Sequence, residues 1–214
     1  MNIFVRLTFL AIFFVCSIKY TFAQVTVFEN NQSGWINEVG VKTIVTIDFD
    51  SIPGSVTEPI IGDEFSANPD NPIITLVEGT GIFVGNPASD QIPNPPSGDN
   101  MLGPTNSGSI EGILRISFSQ PIHAIGATFV DVEADFNTTG FSLDIGSQLP
   151  GISFSGTQGQ ASFSFLGFVS KNSFTSVEIH FATGSNIDGI LIDDLVYSSS
   201  VLIFKDDFEI ISAK

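Results

Sequence analysis

A period of two runs through almost the whole chain, and it restricts the fold more than any other feature. Val45, Ile47 and Phe49 alternate with Thr46 and Asp48. Leu114, Ile116 and Phe118 alternate with Arg115 and Ser117, and Phe141, Leu143 and Ile145 with Ser142 and Asp144. Phe163 and Phe165 alternate with Ser162 and Ser164, and Val177, Ile179 and Phe181 with Glu178 and His180. In an extended strand successive side chains point to opposite faces, so this spacing puts the apolar residues on one side. Such alternation marks antiparallel strands with one buried face. Turns rich in Gly, Pro, Asn and Ser separate the runs. Together they predict an all-β fold, an antiparallel β-sandwich of jelly-roll type.

Helical spacing leaves room for at most one or two short helices. The one candidate is Asn30 to Gly40. Asn31 or Ser33 would cap it, Gly40 would end it, and Trp35 and Val39 would share a face at i and i+4. That face is expected to pack against the rim of the sandwich.

The first residues read as an address. Met1 to Arg6 is basic, Leu7 to Cys16 is apolar, and "TFA" ends at Ala23. This is the layout of a secretory signal peptide over residues 1–23, and the apolar run is too short to span a bilayer comfortably. Cys16, in "FFVCS", lacks the small residues that precede a lipidated cysteine and reads as part of the apolar run. One β-sandwich domain is then expected over residues 24–200, with a tail over 201–214. The expected product is secreted, to the extracellular space or cell surface, with no membrane insertion after signal removal. It has no cysteine, so core burial, with or without a metal, must hold it instead of disulfides.

Loss of Arg6 and Lys19 with the signal takes the formal charge from −16 to −18. Nucleic acid and anionic membranes want basic patches and are excluded as partners. Divalent cations are the natural counter-charge. The sequence offers Asp48 and Asp50 in "IDFDS" and Asp193 and Asp194 in "IDDL". First and last strands pair in many jelly rolls, which would bring Asp50 near the late pair. Calcium takes hard oxygen ligands, so a structural Ca2+ is the candidate cofactor. Alternation puts Asp193 opposite Asp194, so one of the two is expected to point at a given site. Asp131, with Glu133 and Asp135 in "DVEAD", is a further metal candidate set against a solvated loop. The stretch from Gly85 to Gly112 reads as one long Pro- and Gly-rich loop, and loops of that length carry function or move.

Catalytic constellations find little support. No serine sits in a "GxSxG" setting, and no His or Cys pair has zinc spacing. His180, beside Glu178 on a polar strand face, reads as a wet histidine, and His123 shows no partner. Sugar-stacking aromatics are few, since Trp35 and Tyr197 are the only Trp and Tyr after residue 23. The Phe residues sit at inward positions of the alternation and read as core.

"TIDFDSIP", "GTGIFVGNP", "NMLG", "ILRISFSQPIHAIGATFVD", "FSFLGFVSKNSFTSVEIHF" and "IDGILIDDLVY" follow one another in an order that resembles a group of secreted bacterial β-sandwich proteins. Many of those carry sorting tails of the PEP-CTERM kind, which this sequence does not show. The closing "IDDL" is similar to that of carbohydrate-binding modules with the galactose-binding-like jelly roll. That resemblance implies a structural calcium near the first and last strands, with Asp50 and Asp193 as ligands and Asp194 at a variable position. The sequence therefore leads to a secreted, non-catalytic, calcium-stabilised binding module with an extracellular glycan or surface polymer as partner. The rivals are a structural or adhesive matrix protein and, more distantly, a glycoside hydrolase-like enzyme.

Overall fold

A straight strand of 19 residues would be about 60 Å long, whereas a domain of this size is on the order of 40 Å across. Two segments, Gly112–Val130 and Phe163–Phe181, are strands of that length, and both break step in the middle. The computed structural model describes residues 25–40, 44–52, 72–86, 94–105, 112–132, 139–142, 151–155, 162–181 and 190–198. The proposed signal peptide and tail lie outside them, as do Glu133, Asp135, Leu143, Asp144 and Ile145.

The elements are β1 (Val25–Glu29), α1 (Gln32–Val39), β2 (Ile44–Ile47), β3 (Ile73–Glu78), β4 (Gly81–Gly85), β5 (Met101–Thr105), β6 (Gly112–Val130), β7 (Gly140–Ser142), β8 (Ile152–Ser153), β9 (Phe163–Phe181) and β10 (Leu191–Ser198). All pairings are antiparallel and join the strands into one sheet. The long strands β6 and β9 pair with each other, and their register shifts between Ser117 and Ile122 and again before Ala124. At this corner Ser119, Gln120 and Pro121 of β6 and Lys171, Asn172 and Ser173 of β9 are exposed. Pro121 has no N–H to give a ladder, and proline is tolerated at such irregularities. On β9, the Asn172 N–H donates to Ser170 Oγ (3.2 Å). His123 Nδ1 lies 3.0 Å from the Ser170 carbonyl. That oxygen can only accept, so Nδ1 carries the proton. His123 thus has a partner that its sequence context did not show.

The corner divides the sheet into two layers. In layer one, the first half of β6 pairs with β3 on one side and with the second half of β9 on the other, followed by β7 and β8. In layer two, the second half of β6 lies between β10 and the first half of β9. Beyond β9 lies β1, and beyond β10 lie β2 and, at Leu102, β5. The inner faces meet in one core. Phe129 of layer two touches Phe141 and Phe181 of layer one, with ring centroids 5.7 and 6.4 Å apart, and Phe154 at 5.4 Å. Phe168 touches Phe141 at 5.6 Å and Phe174 at 5.4 Å. The fold is an all-β, antiparallel, sandwich-like structure with a single short helix among the described residues.

That helix corresponds to the sequence expectation in extent and differs in place. The Asn31 side chain caps it by accepting from the Gly34 N–H (3.0 Å), and Gly40 ends it at φ +87° with its N–H on the Ile36 carbonyl. It packs on the outer face of layer two, not at the rim. Trp35 and Val39 are buried there against Ala124, Phe165, Val169 and Val196, and the indole N–H donates to the Phe168 carbonyl (3.2 Å). A cross-strand glycine pair, Gly126 and Gly167, makes the trough. A Cβ on Gly126 would lie 2.6 Å from the Phe165 ring, and one on Gly167 would lie 3.0 Å from Trp35.

The helix also explains a reversal on β9. Phe163 and Phe165 do not face the core between the layers. Phe165 lies on the outer face under α1, and Phe163 is 45% exposed, while Ser164 is buried. The first half of β9 is covered on both faces, so its inward residues, Leu166 and Phe168, do not continue the phase that Phe163 suggests. The Gly85–Gly112 stretch is likewise not one loop. It contains β5, whose Met101, Leu102 and Pro104 are buried. Pro104 is placed where β5 has left the β10 ladder, which it meets only at Leu102–Ile192.

Trp35→Ala removes the largest side chain between helix and sheet. We expect a loss of about 3–5 kcal/mol, read by urea unfolding. A loss below about 1 kcal/mol would show that α1 is not part of the cooperative fold.

Candidate functional site: a carboxylate clasp at the β10 bulge

The two aspartates in the last strand mark a register break. Ile192 and Leu195 both face the core, although strict alternation would put residues three apart on opposite faces. The β10–β6 register shifts between Asp193 and Val196, and Asp194 has φ +47°. One inserted residue in the left-handed region is the signature of a bulge, and aspartate is among the few side chains that tolerate that conformation. The bulge overturns the expectation that only one of Asp193 and Asp194 can point at a given site. Both reach Ser97.

The contacts form a clasp. The Ser97 N–H donates to Asp193 Oδ2 (2.9 Å), and Asp193 Oδ1 accepts from the Asp194 N–H (2.9 Å). Ser97 Oγ lies 3.2 and 3.4 Å from the Asp193 oxygens and 2.8 Å from Asp194 Oδ1. Two residues on, Asp50 Oδ1 accepts from the N–H groups of Asp99 (2.7 Å) and Asn100 (2.9 Å). Gly98, at φ +57°, lies so close to Asp50 that any Cβ would collide with its carboxylate. Asn100 Nδ2 reaches the carbonyls of Phe49, Asp50 and Ile52 at 3.4–3.5 Å. The Asp50 N–H in turn donates to Asp48 Oδ1 (3.3 Å). The segment 97–100 therefore ties the chain after β2 to the bulge of β10. Asp50, Asp193 and Asp194 all converge on it, from two ends.

Asp131 stands apart. It follows β6, three residues beyond Thr128, the register partner of Asp193. Its N–H donates to the Ser162 carbonyl (2.9 Å), its φ is +65°, and it is 3% exposed. The solvated-loop expectation does not hold for this residue. Among the described residues, no three acidic, histidine or cysteine side chains converge as a metal would need.

The clasp has an electrostatic imbalance. A hydroxyl donates one proton, and Ser97 Oγ has two carboxylates around it. Asp193 is fully buried. Burial pushes its carboxyl up from 3.8 to about 6, the Ser97 N–H pulls it down, and the Asp194 charge raises it further. Sequence reasoning missed Ser97 and Asn100, although "SGDN" is a run of turn formers whose side chains bond nearby backbone.

A second polar group lies on the outer face of layer one. Thr75, Arg115, Glu178 and Ser142 stand in register across β3, β6, β9 and β7. Arg115 is bonded to Glu178 through Nη2 and through Nε (3.2 Å), and His180 Nε2 lies 3.8 Å from the same carboxylate. His180 is thus only partly wet. No protein-family model matches the chain, and no curated protein matches it. Fold and site together define an all-β, sandwich-like protein with a carboxylate clasp. No helix among the described residues is long and apolar enough to cross a membrane.

The native carboxyl of Asp193 holds its proton more tightly than an unfolded one, so its contribution falls as pH rises. The loss begins near pH 4, where the unfolded chain ionises, and is complete above about pH 6. The interval converts to on the order of 3 kcal/mol. Asp193→Asn keeps an acceptor for Ser97 and cannot ionise. In chelator, its stability relative to the parent should rise between pH 4 and 7 in urea unfolding. A difference that is constant with pH would contradict this account of the burial.

Proposed function

We propose that this is a secreted, non-catalytic binding module whose ligand class is glycan, with calcium at the clasp. The observation that supports binding is the unequal treatment of the two outer faces. On layer two, α1 covers Ala124, Phe165, Val169 and Val196. On layer one the Arg115 and His180 side chains remain 41% and 37% exposed, and the row from Thr75 to Ser142 offers hydroxyls, a guanidinium and a carboxylate on a rigid sheet. Hydroxyl-rich ligands are met by such paired donors and acceptors. The acidity of the chain, −16 in formal charge, disfavours polyanions.

On this reading recognition falls to a sheet face and not to the loop rim around residues 85–112. The described part of that rim is taken up by β5 and by the clasp. The best-placed carboxylates, Asp193 and Asp194, are engaged with Ser97, which favours binding over proton transfer. The rival reading, a structural or adhesive protein, draws on β3, which is an edge strand among the described residues and exposes Ile73 and Val77. Edges of that kind invite another chain.

Calcium is supported by the shortage of protons at Ser97, because a cation would take up the charge that one hydroxyl cannot. Asp193 and Asp194, which share Ser97, would supply carboxylate oxygens, while Asp50 meets the N–H groups of Asp99 and Asn100 and would hold the segment in place. With no three such side chains converging, most of the roughly 6–8 ligands would be carbonyls, Ser97 and water.

A glycan array and melting curves, each run in calcium and in chelator, test both parts. Calcium at 100 times its dissociation constant should add about 2.7 kcal/mol. An unchanged melting midpoint removes the metal. Self-association without glycan retention would favour the adhesive rival.

A further inference from the structure

We propose that one ring of a neutral glycan sits in the cleft between β7, β8 and the end of β9; this rests on the glycan reading above. The cleft has a volume of about 310 Å3 and is lined by Gly140, Phe141, Ser142, Ile152, Ser153 and His180, with Gly151 at its side. Ligand pockets run from about 300 to 1,000 Å3, so this one suits a single small ring better than a length of polymer.

The strands build the cleft through two glycines with different roles. Gly140 is paired with Ser153 on β8 and with His180 on β9. A Cβ there would come within 2.0 Å of the Ile152 carbonyl, so only glycine lets β8 lie this close. Gly151 is the opposite case. A Cβ there meets nothing nearer than the Phe141 carbonyl at 3.9 Å. The space beside Gly151 is open, and a side chain placed there would fill it.

The lining selects the ligand chemistry. Ser142 and Ser153 hydroxyls both donate and accept, which suits sugar hydroxyls. His180 Nε2 is buried and has no hydrogen-bond partner among the described residues. A buried polar atom left unmade costs about 1–3 kcal/mol, and a modest turn of the ring into the cleft would let a ligand hydroxyl complete the bond. Apart from the histidine, the lining carries no charged side chain. Among the described residues, the carboxylate beside the histidine is Glu178, which is already paired with Arg115. A cation therefore finds no unpaired counter-charge there among the described residues, and an anion meets a strongly acidic chain. A neutral ring remains. Residues attached to it would run along Glu178, Arg115 and Thr75 on the outer face of layer one.

Isotope-labelled parent protein would be titrated with glucose, galactose, mannose, xylose, glucuronate and the neutral oligosaccharides of the hexoses and xylose. At least one neutral sugar should shift the amides of Ser142, Ser153 and His180. Gly151→Leu, which fills the cleft, and His180→Ala should each weaken that sugar at least tenfold with the melting midpoint kept. If the parent binds a neutral sugar but the shifts lie elsewhere and both variants bind as the parent does, the glycan reading stands and the cleft assignment falls. If no sugar binds the parent, both fall. Preference for glucuronate over glucose would overturn the neutral class.

Discussion

Everything in this structure depends on the bend in the β6–β9 ribbon. Two 19-residue strands pair along their lengths, and neither could stay straight inside so small a molecule. Because both turn at the same place, one sheet becomes two layers. Each half of the ribbon then recruits its own neighbours: β3, β7 and β8 on one side, β1, β2, β5 and β10 on the other. The phenylalanines between the layers, Phe129, Phe141, Phe168, Phe174 and Phe181, can meet only because the corner exists. Their burial, at about 1.5–3 kcal/mol for each side chain, holds the layers together.

The layers end up with different outer surfaces. Trp35 and the glycine trough seat a helix of two turns on one. The other keeps Arg115, Glu178 and His180 at the surface, with a cleft at one end. The clasp at the β10 bulge works at a third place. It fixes the chain after β2 and the start of β5 to the last strand, so segments distant in sequence share one polar anchor. Its buried carboxylate is costly, and that cost is what a bound cation or a proton would offset.

Much of the fold was legible because alternation is a direct readout of strand faces. β2, the first half of β6 and the second half of β9 follow it, since each has one buried face. The helix was legible from Asn31, Gly40 and the Trp35–Val39 pair. The pattern misled where a second surface was covered. Phe163 and Phe165 look inward in sequence, but α1 gives β9 an apolar outer face, and no local signal shows that. β5 was hidden by Gly103 and Pro104, which read as loop. Asp50, Asp193 and Asp194 were legible as a group that the fold would gather. How both late aspartates could serve was not, because it depends on the bulge at Asp194. Ser97, the residue they share, lies about a hundred positions away in a stretch without periodicity. Pairing across the sheet, not local spacing, likewise joins Arg115 to Glu178.

Native-state hydrogen exchange across β6 and β9 tests the central claim most directly. If one folded ribbon builds both layers, amides on either side of the corner, such as Leu114 and Ile179 on one and Ala127 and Phe168 on the other, should open together with the same free energy as global unfolding. Exchange of the layer-one half at a much lower free energy, with layer two still protected, would show two separately stable sheets and contradict the account.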